Sequence, residues 1–460
     1  MATVGINFGS ATSGAGFDVV TTVASIVAIQ QGIETPWKTQ LTALKAQDTA
    51  LSTIGTDLAT LSTSVAALTN FDGVMVQKQG SSSDTNVLAL TAASTTAIAG
   101  SHTVTVNQLA QTSSFYTANE AASAADTLTG SLTIAVGTAA SQTIPITNSN
   151  NTLNTLAAAI NTGSYGVTAS VLTDTTGSRL SLVSNTSGSA GLITVASTLS
   201  DTTPTAPVAL NFTLGQLGQD AKVNVDGISV SSASNTVTNA IPGVTFQLLS
   251  VATGTPVQVQ IANDNSAIET AVQTFVSSYN TVATDLKTQE GKDTTGNSEP
   301  LYGNPTLSTL QTQLTSALFG GAASGAIANI TQLGLSVDET GVLSLDVSTL
   351  DAVLNSNFSD VSGFLQNAAS FGQTFTTTLN NIGTSSTNSL ISLAQVQNTS
   401  VETQLNTNVT NEDALIANNK TNLTTELNTA NQVLQSIPSQ LNEISEIYSA
   451  ITGYNKNSTG

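Results

Sequence analysis

Three patterns in this chain predict an α+β protein: a helical coiled-coil stalk formed by both chain ends, with an inserted β-rich head of two subdomains. Apolar residues recur every seven positions near residues 37–68 and again near 409–451. Between Val74 and Val259 the period drops to two. The period-two segments are separated by Gly, Asn, Asp and Ser, which supply turns. Residues 1–36 read as a flexible or helical N-terminal end. Residues 37–70 and 266–382 read as the helical stalk, 71–113 and 220–265 as one head subdomain, 114–219 as an outer β-rich subdomain, and 383–460 as C-terminal coiled-coil helices.

The first helix begins near Pro36, a residue suited to an opening turn. Trp37, Leu44, Leu51, Leu58 and Val65 form one seven-residue series, and Ile54, Leu61 and Leu68 form a second. Between Leu51 and Leu68 the spacing alternates three and four, the stripe of a coiled coil. Asn70 and Gly73 supply the stop. Strands are expected at 87–90, 102–106, 132–136, 179–183, 221–225 and 228–230. Asp226-Gly227 joins the last two as a hairpin turn. A short helix at 153–160 has Thr152 as its cap and Gly163 as its stop. Residues 197–207, with Pro204 and Pro207, read as a linker. A helix at 266–288 places Ile268, Val272, Phe275, Tyr279 and Val282 on one face. The stretch 289–305 reads as a polar loop, followed by helices near 306–318 and 346–366.

In the last segment, Val409, Ile416, Leu423, Ala430, Ile437, Ile444 and Ile451 form one series, and Leu427, Leu434, Leu441 and Tyr448 its partner. The candidate coil and docking positions are therefore Leu44, Leu51, Leu58, Leu61, Leu423, Leu427, Leu434 and Leu441. An ordinary amphipathic bundle helix is the alternative to coiled-coil packing. Pro438 falls inside the helix and should kink it. Polar neighbours such as Asn431 should tolerate glutamate, whereas Leu434→Glu should not be tolerated. Residues 1–16 and 453–460 read as flexible ends.

Composition narrows the function. The chain has 460 residues, about three domains' worth, and a net charge of −20. Only 8% of residues are charged, so Ser, Thr, Asn and Gln must supply most of the wetted surface. Such a chain repels phosphate backbones and anionic lipid, which predicts no nucleic-acid partner. No positive n-region precedes the apolar stretch 17–33, and no apolar run approaches a bilayer span, so neither a secretory signal nor membrane insertion is expected. With one histidine and no cysteine, thiol nucleophiles, zinc fingers and disulfides are excluded.

No catalytic constellation emerges. His102 sits in an alternating segment and reads as a surface or cross-strand residue. Gly291-Lys292 lacks the flanking residues of a phosphate loop. Asp338-Glu339-Thr340-Gly341 lacks the ligand spacing of a calcium loop and reads as a turn. Asp346 and Asp351 read as helix-capping and dipole-pairing groups. No catalytic, cofactor or metal residues are expected, and no enzyme.

The order of these pieces resembles the bacterial flagellar filament cap family, hook-associated protein 2. Ser81-Ser82-Ser83-Asp84, Val87-Leu88-Ala89-Leu90, Gly100-Ser101-His102-Thr103-Val104 and Leu109-Ala110-Gln111 are similar to the family's N-terminal pattern. Asp220-Ala221 to Asp226-Gly227-Ile228, with Ile241-Pro242-Gly243-Val244-Thr245-Phe246, resembles its most specific block. Gly334-Leu335-Ser336-Val337-Asp338, Gly341 to Asp346 and Phe364-Leu365 resemble its C-terminal module. The tail beyond Ile437-Pro438 departs from that pattern. The resemblance implies a secreted axial protein, passed unfolded through the flagellar export machinery with a chaperone. It implies a homo-oligomeric ring, a pentamer, at the filament tip, which promotes flagellin folding and polymerisation and prevents its loss. Adhesion to host or surface glycans is a further role of such proteins. The competing classes are a secreted adhesin and another axial flagellar protein, a junction protein or a flagellin.

Overall fold

The computed structural model describes residues 14–453. The remaining parts of the expected flexible ends, 1–13 and 454–460, lie outside the described residues. The described chain has helices at both ends and a central β-rich region, and it divides into two compact units. One comprises the chain up to Thr69 together with the chain from Glu269 onward; the other is Asn70–Ile268.

In the helical unit, α1 (Val19–Gln31) and α2 (Thr35–Thr69) precede the excursion into the other unit. Asp18 caps α1, its Oδ1 accepting the Thr21 N–H at 3.1 Å. Within the other unit lies α3 (Leu153–Thr162), and α4 (Asn265–Gln289) carries the chain back. Then come α5 (Pro305–Leu318), α6 (Val347–Ser356), α7 (Phe358–Gln366), α8 (Phe371–Ile382) and α9 (Leu390–Thr452). The single helix expected near 346–366 is two helices. Asn357, at φ −134°, breaks it, closing α6 and preceding the first residue of α7, Phe358. An aromatic cluster ties this unit together. Phe275 of α4 meets Phe375 of α8 edge-on at 5.6 Å, and Phe364 of α7 stacks on Phe371 at 5.3 Å.

The β unit holds two cores. One lies between a five-stranded antiparallel sheet and a three-stranded sheet. The five strands run in the order Lys78–Ser82, Val257–Asn263, Gly100–Gln108, Ala221–Val225, Ile228–Ser232. The three are Thr236–Thr238, Val244–Leu248 and Leu88–Ala93. Val104, Val106, Val223, Val259 and Phe246 fill the space between them. These are alternate residues of their strands, so burial follows directly from the period of two. The second core gathers Leu132, Ile134, Leu180, Leu182 and Ile193 beneath α3. Thr152 caps α3 with a reciprocal capping box to Thr155, and Gly163 ends it.

Turn chemistry recurs in this chain. Asp174, Asp293 and Asp338 each open an Asp-x-Thr-Gly turn. In all three the aspartate Oδ1 accepts the threonine N–H and its hydroxyl, as in Asp338, where Thr340 donates both at 2.7 Å. The hydroxyl bond is the main reason each of these carboxyls sits below the usual aspartate value.

The segment 197–207 is not a free linker. Ser200–Asp201 pairs on both sides, with Leu128–Thr129 and with Val208–Ala209, and Asp201 is fully buried. Proline content signalled the turn, but composition could not show that neighbouring strands would capture its first residues.

Asp226-Gly227 forms the expected hairpin turn, with φ of +51° and +86°. Asp226 also accepts the Thr103 N–H at 2.8 Å and contacts His102 Nδ1 at 2.7 Å. His102 is thus a cross-strand clamp on a turn. A Cβ added at Gly227 would meet nothing within 4 Å, so the demand there is purely conformational. Gly227→Val should therefore lower the stability of the β unit by roughly 1–3 kcal/mol, read as a drop in its thermal midpoint. An unchanged midpoint would mean that the turn does not need the left-handed conformation.

Candidate assembly interface

The candidate docking residues lie on α2 and α9, and their environments differ sharply. Leu51, Leu58 and Leu61 are buried and Leu44 is half-buried. On α9, Leu423, Leu427 and Leu434 are half-buried, and Leu441 is 47% exposed.

The antiparallel run of α9 accounts for this gradient. Asn398 donates to Asp48 Oδ1 at 2.7 Å, and Ile391 and Thr384 press on the bare Cα of Gly55. A Cβ at Gly55 would come within 2.7 Å of Thr384 Cγ2, which explains a glycine in the middle of α2 despite its helix penalty. Further along, α1 takes over as the partner of α9. The Phe17 N–H donates to Asn431 Oδ1 at 2.9 Å, and Gly14 faces the Pro438 ring. Residues 14–17 are thus packed against α9, not a free end.

Asn431 corrects an expectation. It is half-buried, it receives the Phe17 N–H, and Gly16 lies against its carboxamide oxygen. It is not a tolerant surface position. Asn431 follows Leu427 by four positions and precedes Leu434 by three, so it shares their face of the helix, and the partner at that height is backbone, which carries no hydrophobic signal.

Beyond Pro438, α9 continues unbroken as helix to Thr452 and ends on Gly453, at φ +69°. Leu441, Ile444, Tyr448 and Ile451 follow at spacings of three, four and three, and Ile447 joins them. They are 47–78% exposed. Burial on α9 is confined to Ile391, Leu405 and Ile416.

Charge is sparse along this unit and mostly acidic. At the corner between α1 and α2, Glu34 is buried and pairs with Lys38 at 2.6 Å. That contact, with Asp413 of α9 adding to it, raises the lysine above its ordinary value. Deeper in the unit, Asp57 of α2 faces Asp285 of α4. Burial raises Asp57 to about 6, and the hydrogen bond and like charge of Asp285 add to the shift. Its Oδ2 is buried without a donor. Among the described residues no cluster of three potential metal ligands occurs, and no helix is long and apolar enough to cross a membrane.

Two outcomes follow from this geometry. Because the folded state raises Asp57, stability should be highest on the acid side of this transition. It should fall as pH rises from the ordinary aspartate value of 3.8 through about 6. Asp57→Asn should abolish that decline and gain roughly 1–3 kcal/mol at pH 7.5 relative to wild type, measured by thermal unfolding at several pH values. Asn431→Glu should loosen the α1–α9 contact, while Glu at exposed Asn428 should not. Hydrogen exchange at Phe17 and along α1 distinguishes the two; equal protection in both variants would contradict the assigned contact.

Comparison with known proteins adds identity to this architecture. The chain matches the family model for the flagellar hook-associated protein 2 N-terminus over residues 15–113 and that for its C-terminus over 218–450. It is 29% identical to the B-type flagellar hook-associated protein 2 of Pseudomonas aeruginosa PAO1, over 64% of this chain and 67% of that one. It is 28% identical to flagellar hook-associated protein 2 of Escherichia coli K12, over 76% and 79%. The crystal structure of the flagellar cap protein FliD D1-D2-D3 domains from Escherichia coli superposes with a TM-score of 0.57 at 28% identity, covering 76% of this chain and 99% of that one. The N-terminal match takes in α1, α2 and the first head strands, and the C-terminal match runs from the Asp226-Gly227 hairpin nearly to the end of α9, so the chain belongs to the flagellar hook-associated protein 2 family.

Proposed function

We propose that this protein is exported by the flagellar machinery with a chaperone and caps the tip of the bacterial flagellar filament. There it assembles with itself into a ring, a pentamer, which promotes folding and polymerisation of incoming flagellin and prevents its loss. Its role is structural, without a catalytic step. One observation carries this reading: the apolar stripe of α9 runs on past Pro438, beyond the stretch that the described α1 covers. A helix end with five large apolar residues exposed is unstable alone in water and gains by burial in an assembly. Each such residue contributes roughly 1.5–3 kcal/mol when covered.

Complementation of a cap-deficient strain tests the role. Leu434→Glu should leave filaments short and flagellin shed into the medium, because a charge on the stripe loses apolar burial and adds desolvation cost. Asn428→Glu should restore wild-type filaments. Full motility with Leu434→Glu would remove the terminal coil as the docking element. Light scattering of the purified chain at tens of micromolar should show a closed oligomer, and a monomer throughout would contradict the ring.

A further inference from the structure

The two cores of the β unit share no residue. One, the inner core, belongs to the five-stranded sheet and its three-stranded partner; the other, the outer core, lies beneath α3. Among the described residues no helix or strand of one packs broadly against an element of the other. The chain passes between them twice, through 109–111 on the way out and through 217–220 on the way back. One isolated bridge ties the two passages. The Gln111 N–H donates to the Gln219 carbonyl at 2.8 Å, and the Gln219 N–H donates to the Gln111 carbonyl at 3.1 Å. Two bodies with separate cores, joined by two strands of chain and no apolar seam, turn about that junction unless polar contacts hold them.

The polar contacts converge on Asp220. On the inner side its carbonyl accepts the Gln108 amide at 2.9 Å, and its Oδ2 accepts the Ser231 hydroxyl at 3.1 Å. On the outer side its Oδ1 accepts the Ser189 N–H at 2.6 Å and the Ser189 hydroxyl at 3.0 Å. Ser189 opens the short turn Ser189–Gly191, just past the outer strand Ser178–Ser187. Between them Gly188, at φ +79°, donates its N–H to the Gln111 carbonyl at 3.1 Å. A Cβ on Gly188 would come within 2.5 Å of Asp220 Oδ1 and 2.7 Å of Ala233 Cα, so only a bare backbone lets the turn reach the inner body. One more bond crosses, from the Ser187 hydroxyl to the Ala233 carbonyl at 2.6 Å. Of the groups in these contacts only Asp220 is charged, and bonds to a carboxylate are the stronger kind. The Ser189 N–H, and after it the Ser189 hydroxyl, hold the Asp220 carboxyl below the ordinary aspartate value, and Lys222 adds to this.

Asp220 is half-buried and Ser189 is exposed, so water competes for their contact, and it can open without disturbing either core. We propose that the outer subdomain is a hinged body that swings about the 109–111 and 217–220 passages, and that Asp220 is the catch that holds it closed on Ser189.

The chain has no cysteine, so Thr175→Cys in the outer subdomain and Thr253→Cys in the inner one, both at exposed positions, take nitroxide labels selectively in the full chain. Double electron–electron resonance should give one narrow distance distribution while Asp220 is intact. Asp220→Ala should broaden it. Exchange of the Ser189 amide should quicken roughly tenfold or more, while amides at Val104 and Leu182, one in each core, keep their protection. Asp220→Asn, equal in shape but without charge, should broaden the distribution less, and it decides the matter if Asp220→Ala fails to fold. A distribution that stays narrow in Asp220→Ala, or in Asp220→Asn where the alanine variant does not fold, overturns the proposal, because the junction is then rigid without the catch. A distribution already broad with Asp220 intact overturns it too, since nothing is then held. So does loss of protection at Val104 and Leu182 together with Ser189, because Asp220 then supports the folding of the whole unit.

Discussion

The antiparallel contact of α9 with α2 and then α1 is the constraint on which the helical unit depends. A helix of 63 residues cannot be sustained by local propensity in a stretch so rich in Asn, Thr and Ser. Its first half is held by burial of Ile391, Leu405 and Ile416 against helices from the other end of the chain. The Gly55 notch and the Asp48–Asn398 bond fix the height at which the helices meet. The partners come from opposite chain ends, and of the chain between them Asn70–Ile268 leaves this unit and returns, so the β unit is an insertion.

The β unit is built on different physics. With few charges available, its surface strands alternate apolar residues with Ser and Thr, and its turns are set by aspartate accepting neighbouring backbone and hydroxyl groups. Asp226 shows how far one such residue reaches: it sits in the left-handed conformation, holds the Thr103 amide and clamps His102. The only imidazole of the chain is thereby part of a turn.

Scarcity of charge also gives each ionisable group unusual weight. Glu34, Asp57 and Asp201 each bury a carboxylate oxygen that meets no donor. Each sits where segments meet: the corner of α1 and α2, the face between α2 and α4, and a short strand paired on both sides. A chain with abundant lysine could pair such groups routinely. With nine basic residues against 29 acidic ones, Glu34 has such a partner in Lys38, while Asp57 faces another carboxylate and is left as a point where proton binding changes stability.

Periodicity by itself determined the helix–sheets–helix order. The leucine spacing of 51–68 marked the buried face of α2, and the alternation at 102–106 and 221–225 marked strand faces, because burial on a regular element must follow that element's own period. Asp226-Gly227 and Thr152 were legible for the same local reason: a turn or a cap is decided by the residues that make it. Only the tertiary structure decided the break at Asn357, the capture of Asp201 between strands and the role of Asn431. Backbone groups distant in sequence decide the fates of Asp201 and Asn431, and backbone carries no residue-type signal. It also decided which leucines are covered: Leu51 and Leu441 look alike in a heptad, yet one faces α9 and the other extends beyond the described α1, since a stripe specifies that a face must be buried but not which surface buries it.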